Sequence, residues 1–194
     1  IDEIRVSLVS PSRAYTDVAQ TNEIRTAGAV AGRLASLPLG ISGTMKNADG
    51  FAALRTDFTP TQAGELVDEQ VLPLIRYDAI KIVKDMTTST DPRFERFYAV
   101  QVADEVTELS HQISQAFLGE QLTDDNVTSL EDSHDTFLRE MRDDVVPLID
   151  GYPIRTTEIA NGVRVELGIE IVGVIDTIRT NILVGDVVTN GGTQ

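Results

Sequence analysis

The sequence contains no cysteine, no tryptophan and only two histidines. Without cysteine, a thiol nucleophile, a thiolate zinc site, a disulfide and a dithiol redox motif are all excluded. Histidine-based catalysis would have to use His111 or His134. Serines and threonines are plentiful, but none lies in the Gly-x-Ser-x-Gly motif of serine hydrolases. A hydrolase interpretation therefore has no support in the sequence.

Long apolar runs are also absent. No stretch approaches the roughly 20 apolar residues that a bilayer-spanning helix needs, and the start, IDEIRVSLVSP, lacks the basic end of a signal peptide. We predict no membrane-spanning segment. Because the sequence begins without methionine and enters a strand almost at once, we expect a processed product or the C-terminal part of a longer protein.

Basic residues are scarce, with 16 Lys and Arg against 31 Asp and Glu and a net charge of −15. Such a surface repels phosphate backbones and anionic lipids, so we expect no nucleic-acid partner. The Asp-rich, Lys-poor composition also suits molar salt, where charge repulsion is screened within about 3 Å. A halophilic source is our hypothesis. A protein that is fully folded and monodisperse in dilute buffer, and gains nothing from salt, would contradict it.

Helical and strand patterns alternate along the first two thirds of the chain, which predicts a mixed α+β fold. Gly28 and Gly32 share one face of a predicted helix, a spacing typical of close backbone packing; the glycine pattern and lysine of a nucleotide-binding loop are missing. Thr59 and Gln62 form a capping box that opens another helix. The predicted elements are strands at 4–9, 79–84 and 93–102, helices at 24–37, from 60 and at 103–118, and a loop at 39–50.

A further helix is predicted from 128 to 146. Thr128 and Glu131 form a second capping box, and Pro147 ends the helix. Its apolar face is predicted to consist of Leu130, Phe137, Leu138, Met141 and Val145. The opposite face carries Asp132, Asp135, Arg139 and Asp143.

The last 44 residues have the period-two pattern of strands. Asn161-Gly162 predicts a tight hairpin turn between the strands 152–160 and 163–171. The apolar residues then change from odd-numbered to even-numbered positions near Gly173, which predicts a break and a further strand. Because 174–188 contains neither the lysine nor the proline that normally protects a sheet edge, we expect another chain to pair with it. We divide the chain into a core (1–150), a hairpin (151–173) and a C-terminal strand arm (174–194).

Two Glu-x-x-His pairs, Glu108–His111 and Glu131–His134, have the spacing found in di-iron helical bundles. Helical phase turns Glu108 and His111 towards solvent, and Glu131 has a simpler role in the capping box. His134 lies on the apolar side of its helix, where a hydrogen-bonded core or interface histidine is the commoner explanation. We therefore predict no metal site and keep a metal-dependent bundle enzyme using His111 and His134 as the alternative.

Nine acidic residues and two arginines lie between Glu120 and Asp144. A solvated helix face with i, i+4 ion pairs explains most of them. A docking face for a basic partner, in an acidic adaptor protein, is a second alternative.

The order of segments resembles the C-terminal domain of contractile tail sheath proteins of phage tails, tailocins and related injection systems. The resemblance rests on RVSLVSP, IRTAGAVAGRLASLPLGISGT, DGFAALRTDFTPTQAGEL and IVKDMTTSTDPRFERFYAVQVADEV, followed by the helix at 128–146 and the terminal strands. It covers nearly the whole chain and implies the innermost layer of a sheath, present in a virion tail or a contractile particle assembled in the cytoplasm.

Several expectations follow from this resemblance. It implies a structural protein that is not an enzyme and binds no nucleotide or other cofactor. It implies a homo-oligomer of stacked hexameric rings around an inner tail tube, with baseplate and terminator proteins as further partners. It also implies that terminal arms exchange between neighbouring subunits, which maps here to Val174, Ile178, Ile182, Val184 and Val187. The helix that rests on the tube maps to 128–146, with the outward side chains Asp132, Asp135, Arg139, Arg142 and Asp143.

Overall fold

The structure, a computed structural model, describes residues 6–159 and 162–173. Within this part, four helices and ten short strands form a mixed α+β fold, as the sequence predicts. The helices are α1 (Thr26–Ala35), α2 (Pro60–Asp68), α3 (Phe97–Ala116) and α4 (Asp124–Asp143). The strands are β1 (Leu8–Ser10), β2 (Arg13–Tyr15), β3 (Glu23–Arg25), β4 (Ala53–Leu54), β5 (Val71–Arg76), β6 (Ile80–Ile82), β7 (Ile149–Gly151), β8 (Ile154–Ile159), β9 (Gly162–Leu167) and β10 (Glu170–Ile171).

The first core lies under a three-stranded sheet in the order β1-β5-β6. Strand β5 is central, parallel to β1 and antiparallel to β6. Its Leu72 and Leu74 are fully buried with Ile82 of β6, and α1 adds Val30 and Leu34 to the same cluster. A second small sheet, β3-β2-β4, extends this half of the molecule.

The second core joins α3, α4 and the C-terminal strands. Val102 and Val106 of α3 are buried with Leu138 of α4 and Ile149 of β7. Strands β8 and β9 form an antiparallel hairpin, with Ile154 opposite Leu167, and β7 pairs with β10 beyond it. The four strands therefore make one interrupted two-stranded ribbon that packs against α4.

Three local predictions are confirmed. The capping box is present, with Gln62 N–H donating to Thr59 Oγ1 and Thr59 N–H donating to Gln62 Oε1. Helix α1 lies inside the predicted range 24–37. The predicted C-terminal hairpin forms, with Ile159 opposite Gly162, so Gly162 begins β9 instead of lying in the turn as predicted.

The strand predicted at 93–102 is wrong, because α3 begins at Phe97. Its β-branched and aromatic residues favour a strand locally, but Val102 and Val106, four residues apart, both face the second core. Burial of a helical stripe outweighs that local preference.

The capping box predicted at Thr128 is also wrong. Helix α4 begins four residues earlier, at Asp124, with the Thr123 side chain accepting from Asn126 N–H. Asp124 and Asp125 then lie in the first turn, where the helix dipole favours acids. The helix also ends at Asp143, so Val145 lies outside it and is 96% exposed instead of facing the core.

None of the helices in the described ranges combines the length and the apolar character needed to cross a bilayer.

Candidate assembly surfaces

The outward face of α4 is the first candidate surface. The helix carries seven carboxylates and two arginines. Asp132, Arg139, Arg142 and Asp143 are exposed, as predicted, and Asp135 is half-buried. Asp135 accepts a hydrogen bond from the Tyr152 hydroxyl at 3.0 Å, which ties the helix to the segment between β7 and β8.

Both arginines of α4 are neutralised within the molecule. Arg139 pairs with Asp135 one turn away. Arg142 donates to Asp143 Oδ1 at 2.7 Å and lies 5.4 Å from the centroid of the Tyr152 ring. The hydrogen bond from Arg142 lowers the pKa of Asp143 and raises that of Arg142. The remaining carboxylates leave this face negative and suited to a basic partner.

The β8–β9 hairpin is the second candidate surface. Among the described residues each of its strands pairs only with the other, so both strands have an unpaired edge. Beside β9 lies a groove of about 640 Å³ between the hairpin, the end of α3 and the start of α4. Its apolar lining consists of Phe117, Leu118, Leu122, Val127, Leu130, Val163 and Val165. Leu118 and Leu122 are 79% and 51% exposed, so the groove leaves a sizeable apolar surface uncovered.

The residues assigned to the strand arm, Val174, Ile178, Ile182, Val184 and Val187, lie outside the described residues. Their assignment stays a prediction.

The two histidines occupy different environments. His111 is exposed beside Gln115, at 2.8 Å, whereas His134 is fully buried. The Nδ1 of His134 lies 2.8 Å from the Leu130 carbonyl, and its Nε2 lies 3.0 Å from the Ser110 hydroxyl. His134 is therefore a hydrogen-bonded core histidine. Within residues 6–159 and 162–173, no group of three or more metal-ligating side chains is present.

A buried polar cluster was missed by the sequence analysis. Asp85 and Arg96 form an ion pair with N–O distances down to 2.6 Å and side chains only 1% and 9% exposed. Asp85 also accepts from Ser42 Oγ at 2.8 Å and from Gly43 N–H at 3.2 Å. Arg96 Nη2 donates to Thr44 Oγ1 at 2.6 Å. The cluster fixes the loop after α1 against the residue that precedes α3.

The sequence offered only a weak signal for this cluster. Ser42-Gly43-Thr44 and Asp85 are about 40 residues apart, and neither has the pattern of a known motif. Gly43 was recognisable as a loop residue, but its role is packing: a Cβ there would lie 2.3 Å from Leu34 Cδ2.

No protein-family model matches the sequence, and no curated protein matches it either. The chain does match solved structures. A chain of the anti-feeding prophage baseplate superposes with a TM-score of 0.80 at 11% identity, covering 95% of this chain and 56% of that one. A second match is a chain of the sheath complex of an extracellular contractile injection system (PVC) in its contracted state. It superposes with a TM-score of 0.77 at 12% identity, covering 94% of this chain and 57% of that one.

A third structure is the sheath tail protein from Desulfitobacterium hafniense. It gives a TM-score of 0.64 at 16% identity, covering 88% of this chain and 46% of that one. The chain thus spans little more than half the length of the first structures that it resembles. At these identities the likeness concerns the fold, and the chain has the fold of the contractile tail sheath proteins.

Proposed function

We propose that this chain is the tube-proximal domain of a structural subunit of a contractile sheath, which polymerises as stacked hexameric rings and contracts to drive an inner tube through a target envelope. The observation that carries the proposal is the match over 93% of the chain, with a TM-score of 0.74, to the helical sheath of the anti-feeding prophage in its contracted state. The particle would be a virion tail or an extracellular contractile device.

Strand exchange between neighbouring subunits is the proposed source of connectivity. Support comes from the open edges of β8 and β9 and from the uncovered groove beside β9. An arm from a neighbour, centred on Val174, Ile178, Ile182, Val184 and Val187, would add backbone hydrogen bonds worth about 1 kcal/mol net each, together with apolar burial. Such contacts keep a lattice joined while its subunits slide.

The inner tube is the proposed partner of α4. Its outward face, Asp132 to Asp143, carries surplus negative charge over a well-packed inner face. Contacts of this type are electrostatic and weak enough to release during contraction. Baseplate and terminator proteins would bind the ends of the polymer.

Contraction in this proposal needs no nucleotide at this domain. The work comes from the relaxation of a metastable extended lattice into a more favourable contracted one. The metal-enzyme alternative gains no support, because His134 is committed to core hydrogen bonds and His111 lies exposed beside Gln115.

Electron microscopy of the full-length assembly in high salt tests the proposal. Helical tubes whose inner layer fits this domain are expected. Uniform small particles in every salt condition would refute a sheath role.

A deletion tests the arm separately. Removing 174–194 from the full-length protein should leave a folded core, with unchanged helical circular dichroism, that no longer polymerises. Removing only 189–194 is the matched control, because it spares the apolar positions and should still give polymers. Polymers that persist after the longer deletion would refute the arm assignment.

A further inference from the structure

Two adjacent valines protrude at the end of α4. Val145 is 96% exposed and Val146 is 56% exposed, directly after the last acidic residues of the helix. Single exposed apolar residues are normal on a protein surface. These two lie in the chain between Asp144 and Leu148, which both line a groove of about 460 Å³. The groove is lined by Glu140, Met141, Asp143, Asp144 and Leu148. Three acidic residues of the groove, Glu140, Asp143 and Asp144, thus precede the two exposed valines in the chain. We call Val145 and Val146 together with this groove the valine knob.

The backbone around the valine knob is fixed by hydrogen bonds. Leu148 N–H donates to the Met141 carbonyl at 3.0 Å, which closes the turn after the helix. Val145 N–H donates to Asp144 Oδ1 at 2.6 Å. Leu148 packs against the second core and against Gly40, where an added Cβ would lie 2.4 Å from Leu148 Cδ2. A surface held in this way loses little conformational entropy when it binds a partner.

The charge around the knob indicates which partner fits. Arg142 is engaged by Asp143 and Tyr152, so Glu140, Asp143 and Asp144 give the border an excess of negative charge. Two copies meeting symmetrically through this surface would place their acidic borders against each other, which is unfavourable. A socket with a Lys- or Arg-rich border has the complementary charge.

We propose that Val145 and Val146 form the apolar centre of a docking surface for a protein other than this chain, one whose contact surface has an apolar depression bordered by lysines or arginines. The inference rests on the proposed function, in which that protein is the inner tube. It adds an apolar contact at the C-terminal end of α4 to the electrostatic contact along the outward face of the helix.

The apolar centre has a consequence for salt dependence. Salt screens the acidic border, whereas burial of the two valines is not screened. Binding is therefore retained in high salt, where a contact made by charges alone would be lost.

The test measures co-sedimentation of the full-length protein with assembled inner tubes of the same particle, in about 0.15 M and about 1 M salt. The variant V145S/V146S is expected to bind the tubes at least about 10-fold more weakly at both salt concentrations, because the burial of two valine side chains no longer contributes to binding. V145I/V146I should bind like the wild type. V18S is the matched control, since Val18 is 88% exposed on the loop between β2 and β3.

Two results would overturn the proposal. In the first, V145S/V146S binds the tubes as tightly as the wild type does. In the second, V145S/V146S binds the tubes normally but no longer self-associates, which would mean that a second copy of the chain binds this surface. Thermal unfolding should be unchanged in every variant, because the substituted side chains are exposed. Electron microscopy of the same samples tests the proposed function independently. Wild-type protein that forms no helical polymers would refute the sheath role, whereas tube binding that depends on the two valines would support the docking surface.

Discussion

Replacing Asp85 by asparagine tests the buried polar cluster most directly. The substitution keeps the size of the side chain but removes the carboxylate charge that pairs with the Arg96 guanidinium, which is only 9% exposed. It also replaces one acceptor oxygen by an NH₂ group, which then faces either the Gly43 N–H or the Arg96 guanidinium. Donors that face donors lose their hydrogen bonds and keep the cost of desolvation.

The expected loss in the free energy of unfolding is about 3–5 kcal/mol, the usual cost of removing one member of a buried ion pair. For a chain of this length each kcal/mol lowers Tm by about 2–4 °C, so Tm should fall by about 6–20 °C. Urea denaturation followed by circular dichroism measures the change, with an unaltered slope against denaturant if the denatured state is unaffected.

Asp91→Asn is the matched control. Asp91 pairs with Arg93 in the same segment, but the Arg93 side chain is 80% exposed, so solvent screens the pair and little change in Tm is expected. The double variant D85L/R96M should recover part of the loss, because an apolar pair needs no counter-charge. A D85N protein as stable as the wild type would refute the role given to the cluster.

Two further predictions concern α4. Leu138→Ala should lower the free energy of unfolding by about 2–5 kcal/mol, because Leu138 is fully buried against Val102 and Ile149. Urea denaturation measures this loss, with Glu131→Ala, at an exposed position of the same helix, as the control. Equal stability of the two variants would contradict the prediction. Arg142→Gln should raise the pKa of Asp143 towards its ordinary value, because the hydrogen bond from Arg142 lowers that pKa. Since the lowered pKa belongs to the folded state, the stabilisation is present above the unfolded pKa and is lost as pH falls through the folded one. An unchanged NMR titration midpoint for Asp143 would refute this cause.

Some elements are determined by neighbouring residues and were predictable. The helix start at Thr59 needs only the two reciprocal bonds with Gln62, three residues away. The hairpin follows from flanking strands with a period of two, although Gly162, predicted in the turn, begins β9. The burial of His134 follows from its phase on α4, since every fourth residue shares a face.

Other elements depend on contacts between distant parts of the chain. Strand β5, with Pro73 inside it and four consecutive buried residues, shows no alternation; it is defined by pairing with β1, about 60 residues away. Helix α3 extends back to Phe97 because Val102 meets Leu138 and because Asp85 binds Arg96, the residue before the helix.

The candidate surfaces divide in the same way. Composition and helical phase alone identified the acidic face of α4, because charge and periodicity are local properties. The groove beside β9 and the exposure of Val145 were decided by tertiary structure, since both depend on which surfaces distant segments leave uncovered. Burial is a property of the packed chain as a whole, so an apolar residue in the sequence can be buried, exposed on its own or part of a binding surface, and only the fold distinguishes these cases.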